Sequence, residues 1–175
     1  MKKIITVIVL SIIALNCFCM SIPDLSFSID GAFVQDFLFG EGSVQVTTDF
    51  RAQFSDEFQL RVPLSVTIFN NSYLEEVGLN LVYYPWNKGP FMGLTLFHVG
   101  FAQGTMELPN MIGLNEIILG WTLLLPYGFF VEPTMVIRDP SGTFGSEYSS
   151  IKGAFPCYST YRFRLSCGYT FKGGV

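Results

Sequence analysis

The feature that most constrains this chain is the run from Cys157 to Phe171, CYSTYRFRLSCGYTF. Odd positions read Cys157, Tyr161, Phe163, Leu165, Cys167, Tyr169 and Phe171, broken only by Ser159. Even positions read Tyr158, Thr160, Arg162, Arg164, Ser166, Gly168 and Thr170. Strict period-2 alternation gives a strand one apolar and one polar face. Strands of soluble domains typically run about 5–6 residues, whereas a tilted strand that crosses a bilayer needs roughly 9–11. This run is long enough to cross.

The first twenty residues read as a cleaved signal peptide. Lys2 and Lys3 form a charged start, and Ile4 to Leu15 an apolar stretch too short to span a membrane as a helix. The mature chain is expected to begin near Met20 to Ile22, leaving residues 21–175 as one domain. A competing reading takes Ala14-Leu15-Asn16-Cys17 as a degenerate lipoprotein signal with Cys17 acylated. Without Lys2 and Lys3 the net charge moves from −4 to −6, which leaves no basic footprint for nucleic acid. Two mature cysteines remain, Cys157 and Cys167. Ten apart on one strand they would lie roughly 33 Å from each other, too far for a disulfide, and both fall on the apolar face.

The mature sequence divides into eight alternating segments: Leu25 to Phe39, Ser43 to Phe54, Phe58 to Phe69, Glu76 to Trp86, Phe91 to Ala102, Leu114 to Leu125, Phe129 to Arg138, and the closing run. Gly40-Glu41-Gly42 reads as a tight hairpin turn. Residues 70–75, 103–113 and 139–156 read as loops, and Ser55-Asp56-Glu57, Asn87-Lys88-Gly89-Pro90 and Pro126-Tyr127-Gly128 as short turns. The fifth segment carries apolar residues on both parities; Phe97, Val99 and Phe101 are assigned outward and His98 and Gly100 inward. Pro63 and Pro133 interrupt segments three and seven, where proline marks a bulge or an edge. Eight strands, with short turns at one end and lengthening loops at the other, predict an all-β fold: an eight-stranded antiparallel up-and-down transmembrane β-barrel.

Alternation alone does not decide which face is outside, because soluble barrels also alternate. The charges decide it. The polar face carries Asp30, Asp36, Asp49, Glu76, Glu116 and Glu132 against Arg51, Arg61, Arg138, Arg162 and Arg164, and no lysine. A water-facing sheet favours Lys, whereas the planar guanidinium of Arg suits confined carboxylates. Near-balanced acids and arginines read as a paired network inside the barrel. Phe54, Phe58, Tyr83, Phe91, Phe129, Tyr169 and Phe171 all fall near the short-turn ends of their segments, where outward aromatics would form a periplasmic girdle.

Catalytic and metal chemistry find little support. His98 is the single histidine and reads as structural. One histidine without a cysteine or carboxylate constellation makes a metal site unexpected, and no cofactor is expected. The carboxylates are spread through an arginine-rich face and read as pairing partners, not as an acid/base dyad.

The closing strand, ending in Tyr169 and Phe171, resembles the C-terminal signal strand of bacterial outer-membrane barrels, although Lys172-Gly173-Gly174-Val175 follows the last aromatic. The whole mature chain resembles small eight-stranded barrels of the OmpW-like, OmpX-like and OmpA transmembrane-domain families. That resemblance implies residence in the outer membrane of a diderm bacterium, contact with outer-membrane lipid, and recognition by the barrel assembly machinery through the last strand. It also implies a non-enzymatic role in surface interaction or envelope structure, with an extracellular or host ligand met through the loops. The alternatives are a narrow channel for small or hydrophobic solutes and, third, a lipid-modifying membrane enzyme.

Overall fold

The structure, a computed structural model, describes residues 24–39, 42–104 and 111–171. The expected signal peptide, Cys17, Gly40-Glu41 and the tail after Phe171 lie outside these residues. The strands are β1 (Asp24–Asp30), β2 (Val44–Gln53), β3 (Phe58–Phe69), β4 (Ser72–Tyr83), β5 (Pro90–Gln103), β6 (Glu116–Trp121), β7 (Phe129–Arg138) and β8 (Tyr161–Phe171). Short pieces at Ile112–Gly113 and Leu123–Leu124 extend β6 along its neighbours β5 and β7. Each strand pairs antiparallel with the next, and β8 pairs with both β7 and β1, so the sheet closes on itself. Closure leaves no sheet edge unpaired.

The alternation places side chains as expected along most strands. In β8, Tyr161, Phe163, Leu165 and Cys167 point outward, while Arg162 and Ser166 are buried within. The strands meet at short turns beside Phe54, Tyr84 and Pro126. The opposite end carries the connections 31–43 and 139–160, each containing a helix.

Four local expectations are corrected. The first segment is not one strand to Phe39: β1 stops at Asp30, and α1 (Ala32–Phe39) follows. Asp30 Oδ1 accepts the Ala32 N–H at 2.8 Å, which turns the chain into the helix. Phe33 and Phe37 are four apart, a spacing as compatible with a helix as with a strand face. The connection from β1 to β2 therefore joins the long-loop end in place of a tight hairpin. Residues 70–75 are likewise not a loop. Asn70 and Asn71 both hold positive φ (46° and 62°), the conformation of a two-residue hairpin that matches strand twist, and β4 begins at Ser72.

The third correction lies in the last loop, which folds as α2 (Gly145–Ala154). Tyr148, Ile151 and Ala154 share its buried face, and with Phe155 and Tyr158 they pack on Leu74, Ile112 and Leu114 across the barrel mouth. The fourth follows from it. Strand β8 begins at Tyr161, so Cys157 is not on the outer face but buried under this cap, where the Ser43 hydroxyl donates to its sulfur at 2.9 Å. Cys167 is outward and exposed.

The ambiguity of the fifth segment has a physical cause. Leu79 pairs with Phe97 but Asn80 with Thr95, so Leu96 is an unpaired bulge residue. A bulge inverts the parity of everything beyond it. His98 and Gly100 face inward above it; Phe91 and Gly93 face inward below it. Pro63 interrupts its ladder without shifting it: the β3–β4 pairing skips Val62 and Pro63 and resumes at Leu64↔Val77 in the register of Arg61↔Asn80. Pro133 stays in register opposite Leu165.

Candidate functional site: a filled barrel lumen

Inward positions of all eight strands, with α1 and the cap, build the lumen in layers. At the short-turn end is an open vestibule of about 460 Å³, with Asp24, Asp56, Lys88 and Tyr127 among its lining residues. Its floor is a compact ionic layer. Glu132 on β7 receives Arg51 at 2.8 Å and Arg61 at 2.6 Å. Thr122 donates to the same carboxylate at 2.8 Å, and Arg61 donates to the Tyr84 hydroxyl. In the strand order, β3 and β7 are four strands apart, so the Arg61–Glu132 pair crosses the full diameter of the barrel. Each guanidinium also lies on an aromatic ring, Arg51 over Phe130 and Arg61 over Phe91.

Above this layer lies a void of about 10 Å³, lined by Asp49, Asn80, Thr134 and Arg164. It holds a single water at most. Asp49 is half-buried and reaches Arg51 at 3.3 Å, while Asp30 meets Arg164 Nε at 3.3 Å. The upper layer joins Glu76, Glu116 and Arg138. Arg138 Nε donates to Glu116 at 3.1 Å and its Nη2 to Gln45 at 3.0 Å. Glu76 accepts from Gln45 and Ser65, both at 2.9 Å, and from the Tyr158 hydroxyl at 2.6 Å. His98 sits between the two carboxylates, 3.4 Å from Glu76 and 3.9 Å from Glu116. Burial raises the Tyr158 hydroxyl well above its ordinary pKa, and the neighbouring Glu76 carboxylate adds to the rise; the phenol remains a donor. Beside this layer Arg162 grips Asp36 through both nitrogens, at 3.1 and 2.6 Å. Asp36 reaches the network from helix α1, not from a strand.

The structure thus places all eleven charged residues of the sequence reading on the inner side and groups them into connected layers. It adds Gln45, Gln59, Ser65, Tyr84, His98, Thr122 and Tyr158. Parity marks all seven as inward, but uncharged groups give no sign of pairing.

The aromatics divide differently. Phe54, Phe58, Tyr83, Phe129, Tyr169 and Phe171 stand on the outer wall at the short-turn end. There Phe58 contacts Tyr83 at 5.1 Å and Tyr169 contacts Phe129 and Phe171 at 5.2 and 5.0 Å between centroids. Phe91 does not join them: it is inward and 4 % exposed, packed with Tyr84, Val82 and Ile118, because the bulge at Leu96 reverses its face. Trp121, paired with Pro90 at the same end, is outward and exposed, and Trp86 is exposed in the adjoining turn.

Among the described residues, no group of three or more His, Cys, Asp or Glu side chains is arranged to hold a metal ion. No family model and no curated protein matches the sequence. Among solved structures, the chain is similar to the Yersinia pestis outer membrane protein Ail, determined in a phospholipid bilayer nanodisc. The likeness covers 85 % of this chain and 99 % of that one, with a TM-score of 0.50 and 10 % identity. The fold is that of a small eight-stranded outer-membrane barrel.

Proposed function

We propose that this chain is an outer-membrane β-barrel protein of a diderm bacterium that works as a closed, non-catalytic scaffold, displaying its helical connections at the cell surface. The observation that carries the reading is the filled lumen. An ion pair bridges opposite walls, the void against it measures about 10 Å³, and α2 packs across the far mouth. Paired charges inside a barrel occupy the path that a solute would need. His98, the residue a hydrolytic mechanism would call on, is held between two carboxylates beneath the cap.

The apolar outer wall and its aromatic end support contact with membrane lipid. The aromatic end of β8 supports recognition by the barrel assembly machinery. With the short turns on the periplasmic side, α1 and α2 lie on the outside, where a surface or host ligand would meet them. The test is paired. Purified protein should migrate differently before and after boiling, as a folded barrel does, and should give no conductance in planar bilayers. Reproducible single-channel steps that depend on Arg61 and Glu132 would overturn the closed-scaffold reading in favour of a narrow channel. A soluble cell fraction with no heat shift would overturn the membrane reading itself.

A further inference from the structure

The outer wall is apolar at nearly every outward strand position, and the exceptions cluster. Among the described residues, Glu75 is the one charged side chain at an outward position of the eight strands. It is exposed, and no ion pair holds it. The uncharged polar exceptions, Thr48 and Gln103, lie in the same sector, on β2 and β5. Glu75 stands in a row with Val66 and Phe101, its cross-strand partners. One row towards the middle of the wall, Val77, Leu64 and Thr48 stand side by side. These two rows line one groove of about 430 Å³ on the barrel exterior.

The height of the acid matters. Eight residues separate it from Tyr83 in the lower aromatic band. At about 3.4 Å per residue and a tilt near 40°, Glu75 stands roughly 20 Å above that band. The apolar belt of such barrels is about 25 Å tall. Glu75 therefore sits just under the upper edge, and Tyr73, exposed two residues further along, marks that edge. A lone carboxylate in hydrocarbon is unfavourable, and an ionisable group kept there points to a function with a partner. Among the described residues the strand arginines face inward and no lysine stands on a strand, so the wall there offers no cation of its own.

Resting on the membrane reading above, we infer that this groove binds one lipid whose headgroup carries an ammonium. The ammonium pairs with Glu75 at the edge of the hydrocarbon, and an acyl chain runs down the groove over Val77 and Leu64 towards Thr48. The charge selects a cation. The groove has the volume of a single small-ligand site. The headgroup level and the groove also lie in the order that a lipid requires.

The test uses the refolded full-length mature protein in detergent, with native mass spectrometry after addition of equal phosphatidylethanolamine and phosphatidylglycerol. Wild type should retain the ethanolamine lipid at least several-fold over the glycerol lipid. Glu75→Gln should bring that ratio close to one while keeping the heat-dependent mobility shift. Val77→Trp, which fills the groove and keeps the acid, should reduce retention of both lipids. Equal retention by wild type and Glu75→Gln would overturn the site. So would phosphatidylglycerol retention that needs magnesium and disappears with EDTA, since the acid would then hold a metal bridge. Cross-linking from position 75 to a protein and not to lipid would also overturn it. Failure of wild type to show the mobility shift would instead strike the barrel reading on which the site rests.

Discussion

Arg138 lies over the ring of Tyr158, its guanidinium carbon 3.7 Å from the ring centroid, while the Tyr158 hydroxyl donates to Glu76 at 2.6 Å. One residue of the connection between β7 and β8 thus ties α2 to β4 and β7 at once. The apolar face of the cap covers this tie and keeps water from competing with it. Tyr158→Ala removes a fully buried ring and leaves a carboxylate short of a donor. It should destabilise the barrel by about 3–5 kcal/mol, the usual cost of deleting a buried aromatic. Tyr158→Phe, which keeps the ring, should cost only about 1–3 kcal/mol. Urea unfolding in detergent, followed by the fluorescence of Trp86 and Trp121, measures both.

Glu132 serves two arginines, so its loss is asymmetric. Glu132→Gln leaves Arg51 and Arg61, both nearly inaccessible, with one compensating charge fewer. Removing one partner of a buried ion pair costs about 3–5 kcal/mol. Arg51 retains Asp49 at 3.3 Å, whereas Glu132 is the one carboxylate in ion-pair contact with Arg61 among the described residues. Arg61→Met combined with Glu132→Gln should therefore recover a large part of the stability lost in Glu132→Gln alone. An additive loss in the same unfolding experiment would show that the pair does not act as a unit.

The bulge at Leu96 predicts opposite consequences for two phenylalanines that look alike in sequence. Phe91 is buried against Tyr84 and under Arg61, while Phe129 is outward and half-exposed. Phe91→Ala should cost about 3–5 kcal/mol, and Phe129→Ala clearly less. Gly120 makes the same point from the other side, since an added Cβ there would collide with the Phe91 ring. Gly120→Val should then impair refolding, as overpacking does.

These cases show what the residues expressed directly and what they concealed. Faces were legible wherever one parity ran unbroken, as in β2, β3 and β8, because a strand has only two sides. The charge network was legible because Arg and Asp/Glu share one parity across strands distant in sequence. Phe91 was concealed because a bulge inserts one residue without a composition signature. The helices were concealed for another reason. In α1, Phe33 and Phe37 satisfy periods of 2 and 3.6 together, and in α2 the contacts Tyr148, Ile151 and Ala154 are diluted by Ser and Gly. Cys157 shares the odd parity of β8, but Ser159 breaks that parity and the strand begins only at Tyr161.

Leu165 is outward on β8, about half-exposed, and opposite Pro133. Leu165→Arg should cost roughly 2–4 kcal/mol if the position lies at the bilayer midplane. Refolding yield into vesicles and urea stability measure it, and a variant that folds as well as the parent would reverse the assignment of faces.

Cys157 reports on the cap. Burial is the main cause that raises its thiol above the ordinary pKa, partly offset by the Ser43 hydrogen bond, so it is both shielded and un-ionised at neutral pH. In a Cys167→Ser background, a hydrophilic maleimide should leave folded protein unlabelled and label it fully after unfolding. Adding Ile151→Ala and Phe155→Ala removes two side chains buried completely in the cap, and labelling of the folded protein should rise. Conductance should nevertheless stay absent in that variant. On the closed-scaffold proposal the cap and the Arg51–Glu132–Arg61 layer act as separate seals, since the second spans the lumen below the first. A pore should appear only when the lower layer is cut as well, for example with Arg61→Ser and Glu132→Ser added. If loosening the cap alone opened a pore, the lower ion pairs would not close the barrel, and the cap would be its gate.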